Sequence, residues 1–119
     1  MVIYRWSKKE LGGINLEYTL RINPKAQEDL QNIKMYIEID NPSIAKKIIL
    51  QILDKIDNLK KFPYMGKMLM YKIEVSTKYR YIIVDNYLVF YLIEGNIISI
   101  NRVLHGTRDY KTLFINSVN

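Results

Sequence analysis

Two Asn-Pro pairs, Asn23-Pro24 and Asn41-Pro42, constrain this chain more than any other feature in it. Each reads as a helix start. The asparagine can accept a hydrogen bond from an orphan N–H of the first turn, and proline at the first helical position gives up a donor that has no partner there anyway. Behind the first pair, Ala26, Leu30, Ile33 and Ile37 recur at three- and four-residue spacing, which places them on one face of a helix running to about Ile39. Behind the second, Ala45, Ile48, Ile49, Ile52, Ile56 and Leu59 do the same, and Lys60 and Lys61 fall in the expected last turn, at the negative end of the helix dipole. So few residues separate the helices that they must form an antiparallel hairpin. Neither helix is long enough to stand alone in water, so their apolar faces must meet each other and a sheet.

Strands are legible on both sides of the hairpin. Tyr18, Leu20 and Ile22 alternate with Thr19, Arg21 and Asn23, the period of a half-buried strand. After the hairpin, Phe62-Pro63 and Gly66 mark a loop. Leu69, Tyr71, Ile73 and Val75 then alternate with Met70, Lys72 and Glu74. Three further strands are expected at Arg80 to Val84, Tyr87 to Ile93 and Ile97 to Leu104, with turns at Asp85-Asn86 and Glu94-Gly95-Asn96. Turns this short make the neighbours antiparallel, and a meander results. Gly106 ends the last strand, and Thr107 can cap a short terminal helix carrying Asp109, Leu113 and Phe114. The expected fold is α+β: an N-terminal strand, an antiparallel two-helix hairpin packed on an antiparallel meander sheet, and a short C-terminal helix. Residues 1–17, without a clear period and broken by Gly12-Gly13, are expected to be an irregular N-terminal extension, with 18–119 as a single domain.

Composition narrows the chemistry. There is no cysteine and one histidine, His105, which excludes disulfides, thiolate metal sites and cysteine nucleophiles and leaves too few ligands for a histidine-rich metal centre. A net charge of +6 points to an anionic partner: nucleic acid, an acidic protein segment or an anionic surface. The most apolar stretch, Tyr81 to Leu104, is interrupted by Asp85, Asn86, Glu94, Asn96 and Arg102, so it cannot span a bilayer. Arg5, Lys8, Lys9, Glu10 and the glycine pair interrupt any apolar run of signal-peptide length, and the expected address is the cytoplasm.

Three stretches together carry a resemblance. They are Ala26-x-x-Asp29-Leu30-x-x-Ile33-x-x-Tyr36-Ile37 with Pro42-x-x-Ala45; Ile56-x-x-Leu59-x-x-Phe62-Pro63-x-x-Gly66; and Tyr79-Arg80-Tyr81, Tyr87-x-x-Phe90-Tyr91 and Ile100-x-Arg102-Val103-Leu104-His105-Gly106-x-Arg108-Asp109-Tyr110. In this order and spacing, the chain from Tyr18 to about Phe114 resembles the RelE/ParE superfamily of toxins from type II toxin–antitoxin systems. The resemblance implies a growth-inhibiting toxin without metal or cofactor, held inactive by an antitoxin whose tail wraps it in a hetero-oligomer. It implies one of two activities. RelE-like members cut messenger RNA in the ribosome; ParE-like members poison DNA gyrase and cut nothing. The expected activity is the first, a ribosome-dependent, metal-independent messenger RNA endoribonuclease, with gyrase inhibition by binding as the alternative. The long hairpin and the Phe62-Pro63-x-x-Gly66 loop look more ParE-like.

For the endoribonuclease reading, a 2′-hydroxyl must attack the adjacent phosphate while a base and an acid move protons and cations hold the phosphate charge. The resemblance aligns Arg80 and Arg102 with phosphate-binding arginines, whose planar forks grip two oxygens at once. Arg108, Lys67 and Lys72 are supporting cations. His105 titrates nearest neutrality and is the candidate acid or base; Tyr110 and Tyr91 could donate a proton or stack on a base; Glu74 and Asp109 are the carboxylates at hand. Plainer roles stand beside each of these. Arg80 could be a solvated strand-edge charge, His105 a strand-end cap, and the tyrosines a reflection of strand preference. Arg102 shares its alternation phase with Ile98, Ile100 and Leu104, so it should point to the apolar side unless the strand bends or bulges there.

Overall fold

In a computed structural model, residues 2–5, 9–11, 14–16, 18–72 and 75–107 are described. Strands β1 (Val2–Arg5), β2 (Lys9–Leu11), β3 (Ile14–Leu16) and β4 (Thr19–Ile22) precede helices α1 (Pro24–Glu38) and α2 (Pro42–Asn58). Strands β5 (Lys67–Lys72), β6 (Val75–Val84), β7 (Tyr87–Glu94) and β8 (Ile97–His105) follow. The expected α+β class is the one observed. The terminal helix expected after Thr107 lies outside the described residues.

Both helices start where the Asn-Pro pairs place them, but the two asparagines act differently. Asn41 is a true cap, its side chain accepting the Ile44 N–H at 3.1 Å. Asn23 makes no side-chain cap bond. Its backbone N–H donates to the Ile100 carbonyl at 2.9 Å, and its Nδ2 donates to Asn101 Oδ1 at 3.4 Å, so it ties the start of α1 to β8. Asn41→Ala should therefore cost about 1 kcal/mol, as lost caps do, and Asn23→Ala should affect α1–β8 docking rather than the helix start. Urea titrations of the two variants, with helicity and tryptophan-independent tertiary signals read together, check this: the reverse ranking for helix content would refute it. Lys60 and Lys61 lie beyond the end of α2 and not in its last turn; Lys60 is buried and ion-paired with Asp57.

Strands β5 to β8 form the antiparallel meander, with strand order β1-β4-β8-β7-β6-β5 across the whole sheet. Val75 belongs to β6 and does not end β5. β4 pairs with β8 in parallel, Thr19 opposite Ile97 and Ile22 opposite Ile100, so the sheet is mixed and not wholly antiparallel. This placement follows from satisfying β8: a meander leaves its last strand with an open edge, and β4 covers that row of N–H and C=O groups. β1 pairs with β4 on the far side, while β2 and β3 pair with each other.

One face of the sheet carries the main core. Leu20, Ile22, Ile82, Val84, Val89, Tyr91, Ile98, Ile100 and Val103 pack there with Ala26 of α1 and Ile52 and Ile56 of α2. The opposite face holds a smaller cluster of Leu69, Leu88, Phe90 and Leu104. Along β7 the two sets alternate strictly, as a strand buried on both faces requires. Along β8 they do not. Phe90 faces Arg102 while Tyr91 faces Ile100, which makes Asn101 an extra residue and a β-bulge. The bulge shifts the phase: Ile98 and Ile100 lie in the main core before it, Val103 after it, and Leu104 joins the opposite face. Among the described residues, no helix is long and apolar enough to cross a membrane.

Candidate functional site

Two places in the fold gather the residues that could carry function. The first is the loop after α2. Tyr91, fully buried in β7, donates its hydroxyl to the Pro63 carbonyl at 2.7 Å and accepts the Gly66 N–H at 2.9 Å. Arg80, opposite Tyr91 on β6, donates through Nη1 to the Gly66 carbonyl at 2.8 Å and the Tyr64 carbonyl at 3.4 Å. Its guanidinium carbon sits 5.0 Å from the centre of the Tyr64 ring, a cation–π contact. Gly66 cannot be anything larger: a Cβ there would lie 2.5 Å from the Tyr91 hydroxyl and 2.8 Å from the Tyr81 carbonyl. Burial is the main influence on the Tyr91 phenol and holds its pKa above the ordinary 10.0, against the smaller opposing effects of the Gly66 hydrogen bond and Arg80.

The second place is a groove of about 470 Å³ between α1 and the end of β8, lined among others by Asp29, Ile33, Tyr36, Tyr87, His105 and Thr107. Asp29, which lines it, forms a bidentate pair with Arg102: Nε to Oδ2 at 2.8 Å and Nη2 to Oδ1 at 3.1 Å. Asp29 Oδ2 also accepts the Val103 N–H at 2.9 Å. Both side chains are buried, Arg102 at 6% and Asp29 at 8% exposure, so the Nε–Nη2 edge of the guanidinium is taken up by protein. His105 stands at the strand end. Its Nδ1 accepts the Thr107 N–H at 3.1 Å and lies 2.8 Å from Thr107 Oγ1, and its ring meets Tyr87 edge-on at 5.3 Å between centroids. Burial, then Asp85 and Tyr36, raise the Tyr87 pKa.

These side chains are not gathered at one point. Arg80 is in register with Tyr91 and His105 with Tyr87, four residues apart on β7 and on opposite flanking strands, which separates their backbones by roughly 16 Å. Arg80 reaches toward the loop, Arg102 toward α1, and Tyr91 is sealed inside. Lys67 is exposed at the start of β5; the backbone of Lys72 ends that strand. Tyr110, Arg108, Asp109 and Glu74 lie outside the described residues. Among the described residues, no group of three or more histidine, cysteine, aspartate or glutamate side chains comes together.

Asp29 is the residue that reading the sequence for chemistry passed over. Its signal was present: it falls three residues after Ala26 and four before Ile33, a carboxylate on the apolar stripe of α1. A charge in that position needs a buried partner, and the partner is 73 residues away.

A sequence model of a family described as the ParE toxin of the type II toxin–antitoxin system parDE matches residues 20–110. No curated protein matches the sequence. Among solved structures, the fold is similar to a chain of the chromosomal ParDE toxin–antitoxin system from P. aeruginosa, with 19% identity and a TM-score of 0.61 over 72% of this chain and 92% of that one. It is also similar to a chain of the toxin–antitoxin complex RelBE2 from Mycobacterium tuberculosis, with 22% identity and a TM-score of 0.53 over 74% of this chain and 96% of that one. At these identities the likeness is one of fold.

Proposed function

The chain belongs to the ParE toxin family of type II toxin–antitoxin systems, and from that premise we propose that it arrests growth by binding a protein target, as a gyrase inhibitor does, and not by cutting messenger RNA. The observation that carries this reading is the Arg102–Asp29 pair. Arg102 spends its Nε and Nη2 donors on a buried carboxylate that also offsets its charge, which supports an architectural role over gripping a phosphate. Arg80, the other phosphate-binding candidate, spends Nη1 on two loop carbonyls. Metal-free cleavage needs a base, an acid and cations around one scissile phosphate, and Arg80, Arg102 and His105 are each committed to a different part of the fold. Binding asks for none of that convergence.

On the same reading, the partner in the resting state is an antitoxin with an acidic or amphipathic tail, complementary to the +6 charge of the toxin. The pair would act in plasmid or chromosomal stabilisation within the cytoplasm. Expression of the chain without antitoxin should induce an SOS response and relax negative supercoiling while messenger RNA stays intact for the first minutes. Ribosome-dependent messenger cleavage with an undamaged chromosome would overturn the proposal and return Arg80, Arg102, His105 and Tyr110, with Lys67, Lys72, Tyr91 and Arg108, to the role of a nuclease centre.

A further inference from the structure

The loop that Tyr91 and Arg80 hold has an unusual division of labour. Its backbone is bolted to the sheet at Pro63 and Gly66, yet its large side chains are turned outward: Phe62 is 61% exposed, Tyr64 64% and Met65 49%, with Met68 of the adjoining strand at 48%. A loop that only had to connect α2 to β5 would gain by burying these groups or replacing them with polar ones. The exposed charge on the loop is basic: Lys61 and Lys67 are exposed, while Lys60 is buried and ion-paired with Asp57.

We propose that this knuckle is the surface by which the chain grips the protein it inhibits, and that its counterpart is an acidic patch carrying large apolar side chains on a folded partner. The inference rests on the binding reading above and adds to it the contact surface and the chemistry it selects. Charge complementarity supplies the acidic character. Rigidity supplies the folded partner: a loop fixed in one shape before contact loses little conformational entropy on docking. The side chains favour protein over RNA. Met65 and Met68 offer adaptable apolar volume, while the guanidinium of Arg80, the group best suited to a phosphate, is turned to the Gly66 carbonyl and the Tyr64 ring.

The test compares wild type with Phe62→Ser/Met65→Ser and with Lys67→Glu, all surface changes, reading growth arrest on induction and inhibition of purified DNA gyrase. Each apolar anchor of an interface is worth roughly tenfold, so the double variant should lose about 100-fold in potency and Lys67→Glu about tenfold. Melting temperature and neutralisation by the antitoxin should be unchanged. Full growth arrest by the double variant overturns the proposal whatever the target. Loss of neutralisation with toxicity intact overturns it too, because the knuckle is then the antitoxin's surface. If wild type spares gyrase and cleaves messenger RNA, the binding reading fails separately. In that case, loss of binding to a single-stranded RNA oligonucleotide in the double variant identifies the knuckle as an RNA surface and overturns the proposal.

Discussion

Asp29→Ala is expected to destabilise the fold by about 3–5 kcal/mol, because it leaves a buried guanidinium and the Val103 N–H without their partner. Against a typical stability of about 5–15 kcal/mol, that is enough to lower the melting temperature by more than about 10 °C. Arg102→Ala should be nearly as costly, since it strands the carboxylate. The informative variant is the double replacement Asp29→Leu/Arg102→Met. Exchanging a buried ion pair for apolar groups of similar volume is often close to neutral, so this protein should fold. If Arg102 is an architectural residue, the double variant keeps its toxicity. A stable double variant that no longer arrests growth would mean that Arg102 acts on a ligand, and the binding proposal would lose its main support.

Tyr91→Phe should cost about 2–4 kcal/mol, a large effect for the loss of one oxygen. The hydroxyl bonds two buried backbone groups, the Pro63 carbonyl and the Gly66 N–H, and neither has a replacement when it is removed. Gly66→Ala attacks the same joint from the other side, and relieving its clash with Tyr91 would still leave the Tyr81 carbonyl in the way. Both variants should loosen the loop, seen as faster amide exchange at Met65 and Gly66. A pH dependence accompanies this. Burial raises the Tyr91 pKa above 10.0, so the folded chain holds this proton more tightly than the unfolded one does. The resulting stabilisation is complete below about pH 10 and is lost as pH rises through the folded-state pKa. Tyr79 and Tyr87, also raised chiefly by burial, act in the same direction. Tyr91→Phe should thus flatten the alkaline fall in melting temperature without abolishing it; an unchanged slope would show that Tyr91 contributes nothing to it.

Local pattern was enough to determine much of this molecule. The two Asn-Pro pairs and the three- and four-residue apolar spacing give the hairpin, because helix starts and amphipathic faces depend on residues within a few positions of each other. The two-residue turns give the meander for the same reason; Asp85 and Gly95 take the positive φ that such turns demand. The clustering of Arg102, His105, Arg108 and Tyr110 carried the resemblance, and residues 20–110 do match the ParE toxin model.

What tertiary structure alone decided are the partners. No local rule places β4 beside β8, since the open edge it fills exists only after the meander has formed. Alternation along β8 carried an error from Asn101 onward, because a bulge answers to the neighbouring strand and to Asn23. The roles of the charged and phenolic groups were the least legible of all. Arginine and tyrosine have the same chemistry whether they face a phosphate or a carboxylate, a base or a carbonyl. Arg102 meets a carboxylate from 73 residues earlier, and the Tyr91 hydroxyl meets a loop 25 to 28 residues earlier. The order of residues determined that this chain would carry forked cations and a phenol at these strand positions; the packing of α1 and of the α2–β5 loop determined what those groups hold.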